Sequence, residues 1–175
     1  MKKSDLSYIP EFYDTYINKV EDELTVNQAL RAYDGDWLSK EKDNFLKLGD
    51  QVYAPNKWSV KDILQHMIDT ERVFNYRTLC IARGERAELP GMDEQLYAQN
   101  HQAHKRSLDS LLQEFTLVRE ATIVMFQHFD KDMMLREGTC FQKKVSVLSL
   151  GFTMVGHPIH HLSILKERYY PLIAK

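Results

Sequence analysis

Residues 145–165 of this chain form an unbroken run without a formal charge, and no other feature constrains the fold as much. By length such a run can cross a bilayer. It also holds His157, His160 and His161, two glycines, Pro158 and the hydroxyls of Ser146, Ser149, Thr153 and Ser163. A lipid-facing helix would have to strip water from all of these groups. A helix buried among other helices satisfies both demands, because its polar groups can then meet partners inside a bundle. No membrane association is therefore expected.

The remaining sequence supplies helices to surround this one. Only 7 Gly and 5 Pro interrupt 175 residues. A short helical signal from about Glu11 to Val20 carries Phe12, Tyr13, Tyr16, Ile17 and Val20. A longer one runs from about Val26 to Leu48, weakened but not ended by Gly35 and closed by Gly49-Asp50. The clearest start lies at Ser59, a good N-cap, with Asp62 three residues on in a capping-box-like pattern. Arg83-Gly84 gives that helix a basic last turn and a terminal glycine.

Residues 85–100, which include Leu89-Pro90-Gly91-Met92-Asp93, read as a loop. A third long helix spans about Ala103 to Phe129. Beyond a polar stretch from Asp130 to Lys144, Ser146 can cap a last helix ending near Tyr170-Pro171. The Gln142–Leu150 stretch is β-prone and is where a strand competes with that reading. Four long amphipathic helices, with no comparable strand-rich segment, predict an all-α, four-helix bundle in a single domain over residues 1–175.

Composition narrows the function classes. With 43% hydrophobic and 27% charged residues, the chain is globular and not disordered. A net charge of −2 offers no basic footprint for nucleic acid. Cys80 and Cys140 are too few for a disulfide framework and fit reduced thiols in a cytoplasmic protein. The N-terminal lysines are followed by no apolar run, so no signal peptide is expected.

The chemistry concentrates in histidines. His157 and His161, spaced i, i+4, leave one helix face ~40° apart. His66 lies on the flank of the apolar stripe of the Ser59 helix and can face them. Buried imidazoles without partners would leave nitrogens unsatisfied, whereas a divalent metal satisfies several at once. Three nitrogen ligands with open positions are what metal chemistry requires. Imidazole alone does not choose the metal; zinc or nickel comes first, then iron or manganese.

His160 points ~100° away from His161, which suits packing or orienting the ligands. His101 and His104 sit in a polar run and are expected on the surface, and His128 near a helix end. Glu71 falls on an apolar part of its helix and needs a partner, with a salt bridge as the default. Arg77 and Asp93 are further candidates for substrate contact. Pro158, between His157 and His161, removes the helical donor to the Met154 carbonyl. Its kink either spoils the ligand geometry or aims it.

Lys57-Trp58-Ser59-Val60-Lys61-Asp62-Ile63-Leu64-Gln65-His66, followed by Asp69-Thr70-Glu71-Arg72-Val73-Phe74-Asn75-Tyr76-Arg77, resembles the second helix of DinB/YfiT-like proteins. The Leu89–Asp93 loop and the segments Gly156–Leu162 and Leu165–Tyr169 are also similar to that family, so the likeness spans about residues 8–172. It implies a four-helix bundle holding a divalent metal on His66, His157 and His161, often in a homodimer. Characterised relatives include metal-dependent S-transferases that use bacillithiol and a mycothiol-dependent isomerase. The implied reaction is transfer of a low-molecular-weight thiol to an electrophilic small molecule. Metal-dependent hydrolysis is the alternative, and a non-enzymatic bundle acting through a dimer or partner interface is the competing class.

Overall fold

Side-chain caps decide where the helices begin. The computed structural model describes residues 1–173. After a one-turn α1 (Asp14–Ile17), Thr25 caps α2 (Val26–Ala32) and Asp34 caps α3 (Gly35–Ser39) by accepting from the Trp37 amide at 3.0 Å. Next comes α4 (Lys42–Leu48), ended by Gly49 at φ 55°. Ser59 and Asp62 form a reciprocal capping box at the head of α5 (Val60–Ala82). Asp93 then caps α6 (Glu94–Asn100), Ser107 caps α7 (Leu108–Gln127) and Asp130 caps α8 (Lys131–Leu135).

An antiparallel hairpin of β1 (Glu137–Cys140) and β2 (Lys143–Ser146) pairs Glu137 with Ser146 and Cys140 with Lys143. Ser146 ends the hairpin and caps α9 (Val147–Ile164). A π-helical turn over Leu165–Tyr169 and a 3-10 turn over Tyr170–Leu172 follow.

The architecture is the expected four-helix bundle. α5 packs against both α7 and α9, α2 packs against the same two, and α1 lies along α9. Thus α5 and the segmented run α2–α4 occupy opposite corners. All residues of α9 from Val147 to Pro158 are buried, which accounts for their uncharged sequence. Among the described residues, no helix is long and apolar enough to cross a membrane.

One buried guanidinium ties the four corners together. Arg119 of α7 is fully buried and makes two 2.8 Å hydrogen bonds to the Glu71 carboxylate of α5. It also donates at 2.9 Å to the carbonyl of Tyr33, which ends α2, and at 2.9 Å to that of Met154 in α9. Thr122 adds a 2.7 Å hydrogen bond to Glu71. The salt bridge expected for Glu71 is therefore present, and its partner lies on another helix. Buried charges are tolerated only when paired and hydrogen-bonded in this way.

The long helix expected over Val26–Leu48 is instead three segments. The Asp34 side chain competes for the backbone as an N-cap. Gly35 also packs so close to α7 that an added Cβ would lie 2.0 Å from Thr116 Oγ1. The stretch read as a loop at 85–100 contains α6, which buries none of its side chains and so carries no apolar periodicity to detect. The third long helix starts at Leu108, not Ala103, because Ser107 provides the cap. The β-prone stretch divides at Ser146, giving strand before it and helix after it.

Candidate metal centre

α5 and α9 bring three imidazoles to one point. Nε2 of His157 lies 3.1 Å from Nε2 of His66 and 3.0 Å from Nε2 of His161. The three ligand atoms all fall within 4.8 Å of one another. His157 and His161 share a face although Pro158 stands between them. The carbonyl that Pro158 deprives of a helical donor is that of Met154, and Arg119 supplies one.

Aromatic rings enclose the cluster. Tyr16 of α1 stands edge-on to His157, with ring centres 5.2 Å apart. It can do so because Gly156 lets α1 approach: an added Cβ would sit 2.0 Å from the Tyr16 carbonyl oxygen. Trp58, just before the Ser59 cap, lies 4.9 Å from His66. Its carbonyl accepts a 2.7 Å hydrogen bond from the Tyr169 hydroxyl, which the π-helical turn positions. Thr70, one turn beyond His66, places Oγ1 3.5 Å from His66 Nδ1.

Burial sets the protonation state. It pushes His66 down to about 4, with a smaller contribution from His101, and His161 down to about 3, with contributions from His66 and His160. Fully enclosed, His157 is held well below its usual value by burial first and then by its neighbouring imidazoles. All three rings are neutral at pH 7, the form that ligates metal. Their Nε2 atoms face one another, with no carboxylate partner among the described residues. A divalent cation fits this donor set. No fourth side chain joins the group among the described residues, and three protein ligands are the pattern of catalytic sites, whereas structural sites close with four.

The other candidates take separate places. His160 packs edge-on against Tyr16 at 5.3 Å, away from the converging nitrogens. Asp93 is the exposed cap of α6 and accepts from the Leu96 amide at 2.9 Å. Arg77 is buried and donates to the Pro90 carbonyl at 2.7 Å. His104 and His128 are exposed as expected. His101 is not: its side chain is 8% exposed, with Nδ1 accepting from the Ala103 amide. The αL residue Gln102 turns the chain there and folds the ring inward.

Sequence reasoning overlooked the parts played by Tyr16, Arg119 and Tyr169. Trp58 carried a usable signal, since an apolar residue before an N-cap commonly packs on the first helical turn. It lines a cavity together with Ile63.

Two cavities lie beside the cluster and share no lining residue. The larger, about 600 Å³, is lined by none of the three histidines but by Thr70 and Tyr16, which contact His66 and His157, and it extends to Arg77. The smaller, about 240 Å³, includes His161, Trp58 and Lys57. The consecutive residues Glu94 and Gln95, at the start of α6, line one each.

Comparison with known proteins agrees with the fold. The model of the DinB superfamily matches residues 16–165. Among solved structures, YfiT from Bacillus subtilis superposes with a TM-score of 0.67 at 14% identity, covering 98% of this chain and 93% of that one. YfiT is described as a probable metal-dependent hydrolase with an unusual four-helix bundle topology. No curated protein matches in sequence.

Proposed function

The chain belongs to the DinB superfamily, and from that premise we propose that it is a metal-dependent thiol S-transferase. His66, His157 and His161 would hold the divalent ion, with zinc or nickel favoured over iron or manganese. Such an ion lowers the pKa of a bound thiol or water, so that a nucleophile exists at neutral pH. The protein's own contribution is to keep the three imidazoles neutral by burial and to fence them with Tyr16 and Trp58.

The observation that carries transfer over other chemistry is a pair of cavities beside the histidines, one lined by His161 and the other by Tyr16 and Thr70, which touch His157 and His66. Two organic reactants, a small thiol and an electrophile, need two approaches to one centre; hydrolysis needs only one. In the smaller cavity, Lys57 and Tyr53 stand over an aromatic wall that suits a polar thiol carrier. The larger has a mostly apolar lining that suits an electrophile.

Hydrolysis is the second reading, favoured by the description of YfiT. The two are separated by incubating metal-reconstituted protein with monochlorobimane and a panel of small thiols, and separately with nitrophenyl esters. Metal-dependent loss of thiol, abolished in His161→Ala, is the expected result. Ester cleavage without thiol consumption would replace transferase with hydrolase. Neither activity in fully metallated protein would overturn both.

A further inference from the structure

We infer that the larger cavity binds an elongated molecule bearing one carboxylate, with Arg77 as its anchor; this rests on the transferase reading only for events at the histidine end. Arg77 is 5% exposed, and its Nε is buried without a hydrogen-bond partner. Nη2 is committed to the Pro90 carbonyl. Among the described residues, no carboxylate pairs with this guanidinium. The contrast with Arg119, which is more deeply buried and fully partnered, is direct. A buried cation lacking a counter-ion is costly to maintain unless a ligand supplies one. The guanidinium keeps donors that Pro90 does not use, and a carboxylate is the group that a charged donor of this kind binds most strongly.

The slot has a defined length. Thr70 and Arg77 line it from one face of α5, and His66, one turn before Thr70 and outside the lining, lies ~16 Å from Arg77 along the axis. An arginine leans back toward the helix N-terminus, so a ligand bridging the two ends is somewhat shorter than this. Between them the walls are apolar, with Phe74 and Met92 among them. The Phe74 ring also lies 5.3 Å from the Arg77 guanidinium carbon, which fixes the cation at the far end.

Two exposed aromatic rings border the cavity. Phe12 and Phe141 line it, both 67% exposed and both in the left-handed region, at φ 72° and φ 48°. For Phe141 that conformation is what the two-residue turn between Cys140 and Lys143 requires, with Gln142 at φ 62° beside it. Phe141 lies over Gly91, where an added Cβ would meet the ring at 2.6 Å. Lys143 sits 4.7 Å from the centre of the Phe12 ring while bonding Glu11. Glu11, Asp14 and Glu94 also border the cavity. Lys143 offsets Glu11, while Asp14 and Glu94 repel any anion, a polyanion such as a nucleotide more than a single carboxylate, so the contact with Arg77 has to outweigh them.

The test uses metal-stripped protein, so it reports binding and not turnover. Decanoate is titrated by calorimetry against wild type and Arg77→Gln, with decanol and decyl phosphate as comparators. The expected result is saturable one-site binding of decanoate, at least tenfold weaker in Arg77→Gln, with decanol binding both proteins equally poorly. Decanoate binding unchanged by the substitution would overturn the anchor. Should the variant not fold, wild type alone decides: decanol binding as tightly as decanoate sinks the proposal. Decyl phosphate binding more tightly than decanoate removes the single-charge selectivity. Because no metal is present, loss of this inference leaves the transferase reading standing, and the reverse holds as well.

Discussion

Nη2 of Arg119 donates at 2.9 Å to the carbonyl of Met154, the one that Pro158 leaves without a helical donor. A helix-breaking residue between two candidate metal ligands is thus compensated by a side chain from another corner of the bundle. The same guanidinium neutralises Glu71 and holds the end of α2. The site on α9 and the packing of the bundle consequently share one polar hub.

Removing one member of that hub exposes the others. Arg119→Leu leaves a buried carboxylate unpaired, and about 3–5 kcal/mol of stability is lost. Glu71→Leu/Arg119→Leu recovers part of this, because no buried charge remains. Adding Pro158→Ala to Arg119→Leu recovers about 1 kcal/mol more, since the new amide can donate to Met154. In wild type the same proline substitution brings a smaller gain, because Arg119 already gives that carbonyl one donor. Urea unfolding of the set decides; strict additivity would refute the shared hub.

Metal binding follows the converging nitrogens and not the histidine count. Elemental mass spectrometry of untagged protein should find near-stoichiometric divalent metal in wild type and in His160→Ala. In His66→Ala, His157→Ala and His161→Ala it should fall to background while helicity is retained. His161→Ala is the most informative of these, because its ring lies nearest the smaller cavity and its loss disturbs the least packing. Metal retained in that variant would remove it from the ligand set.

Those parts of the site that depend on local pattern were legible in the sequence. The Ser59 cap, the i, i+4 spacing of His157 and His161 and the uncharged run of α9 each follow from spacing along one helix. What escaped depends on meetings between distant segments. Nothing near Glu71 names Arg119 as its partner, and nothing near Pro158 says that its orphaned carbonyl will be satisfied. The break at Asp34 was hidden for a different reason: a continuous helical periodicity masks a cap that wins only because α7 lies against Gly35. Buried His101 was misplaced because polar neighbours in sequence do not reveal a left-handed turn at Gln102.

Gly156 couples α1 to the candidate metal site. With the Tyr16 carbonyl 2.0 Å from any added Cβ, Gly156→Ala forces backbone to move and costs about 2–3 kcal/mol. For a chain of this size that lowers Tm by ~5–10 °C. Tyr16 then withdraws from His157, so metal affinity falls along with stability. Tyr16→Phe, which keeps the ring and its contacts, should leave both nearly unchanged. A destabilised Gly156→Ala with wild-type metal affinity would uncouple α1 from the site.

Acid sensitivity should run through Glu114, which accepts from both Arg72 and Arg106. Burial pushes its carboxyl up, but the two guanidiniums together outweigh burial and hold it below its ordinary value. Because the folded value lies below that of the unfolded chain, about 4.3, the unfolded state takes up the proton first as pH falls. The group's contribution is therefore complete above pH ~5 and is lost as pH drops through its folded value. Glu114 and Arg106 are partly exposed and Arg72 half exposed, so solvent screening keeps the effect within about 1 kcal/mol. Glu41 behaves alike: burial raises it, and bonds from Lys166, Tyr170 and Asn44 together lower it further. Glu114→Gln should lower the urea midpoint at pH 7 and flatten its decline between pH ~5 and ~3. Adding Glu41→Gln should flatten it further. A variant curve that stays parallel to wild type through that range would mean that these carboxylates titrate alike in both states.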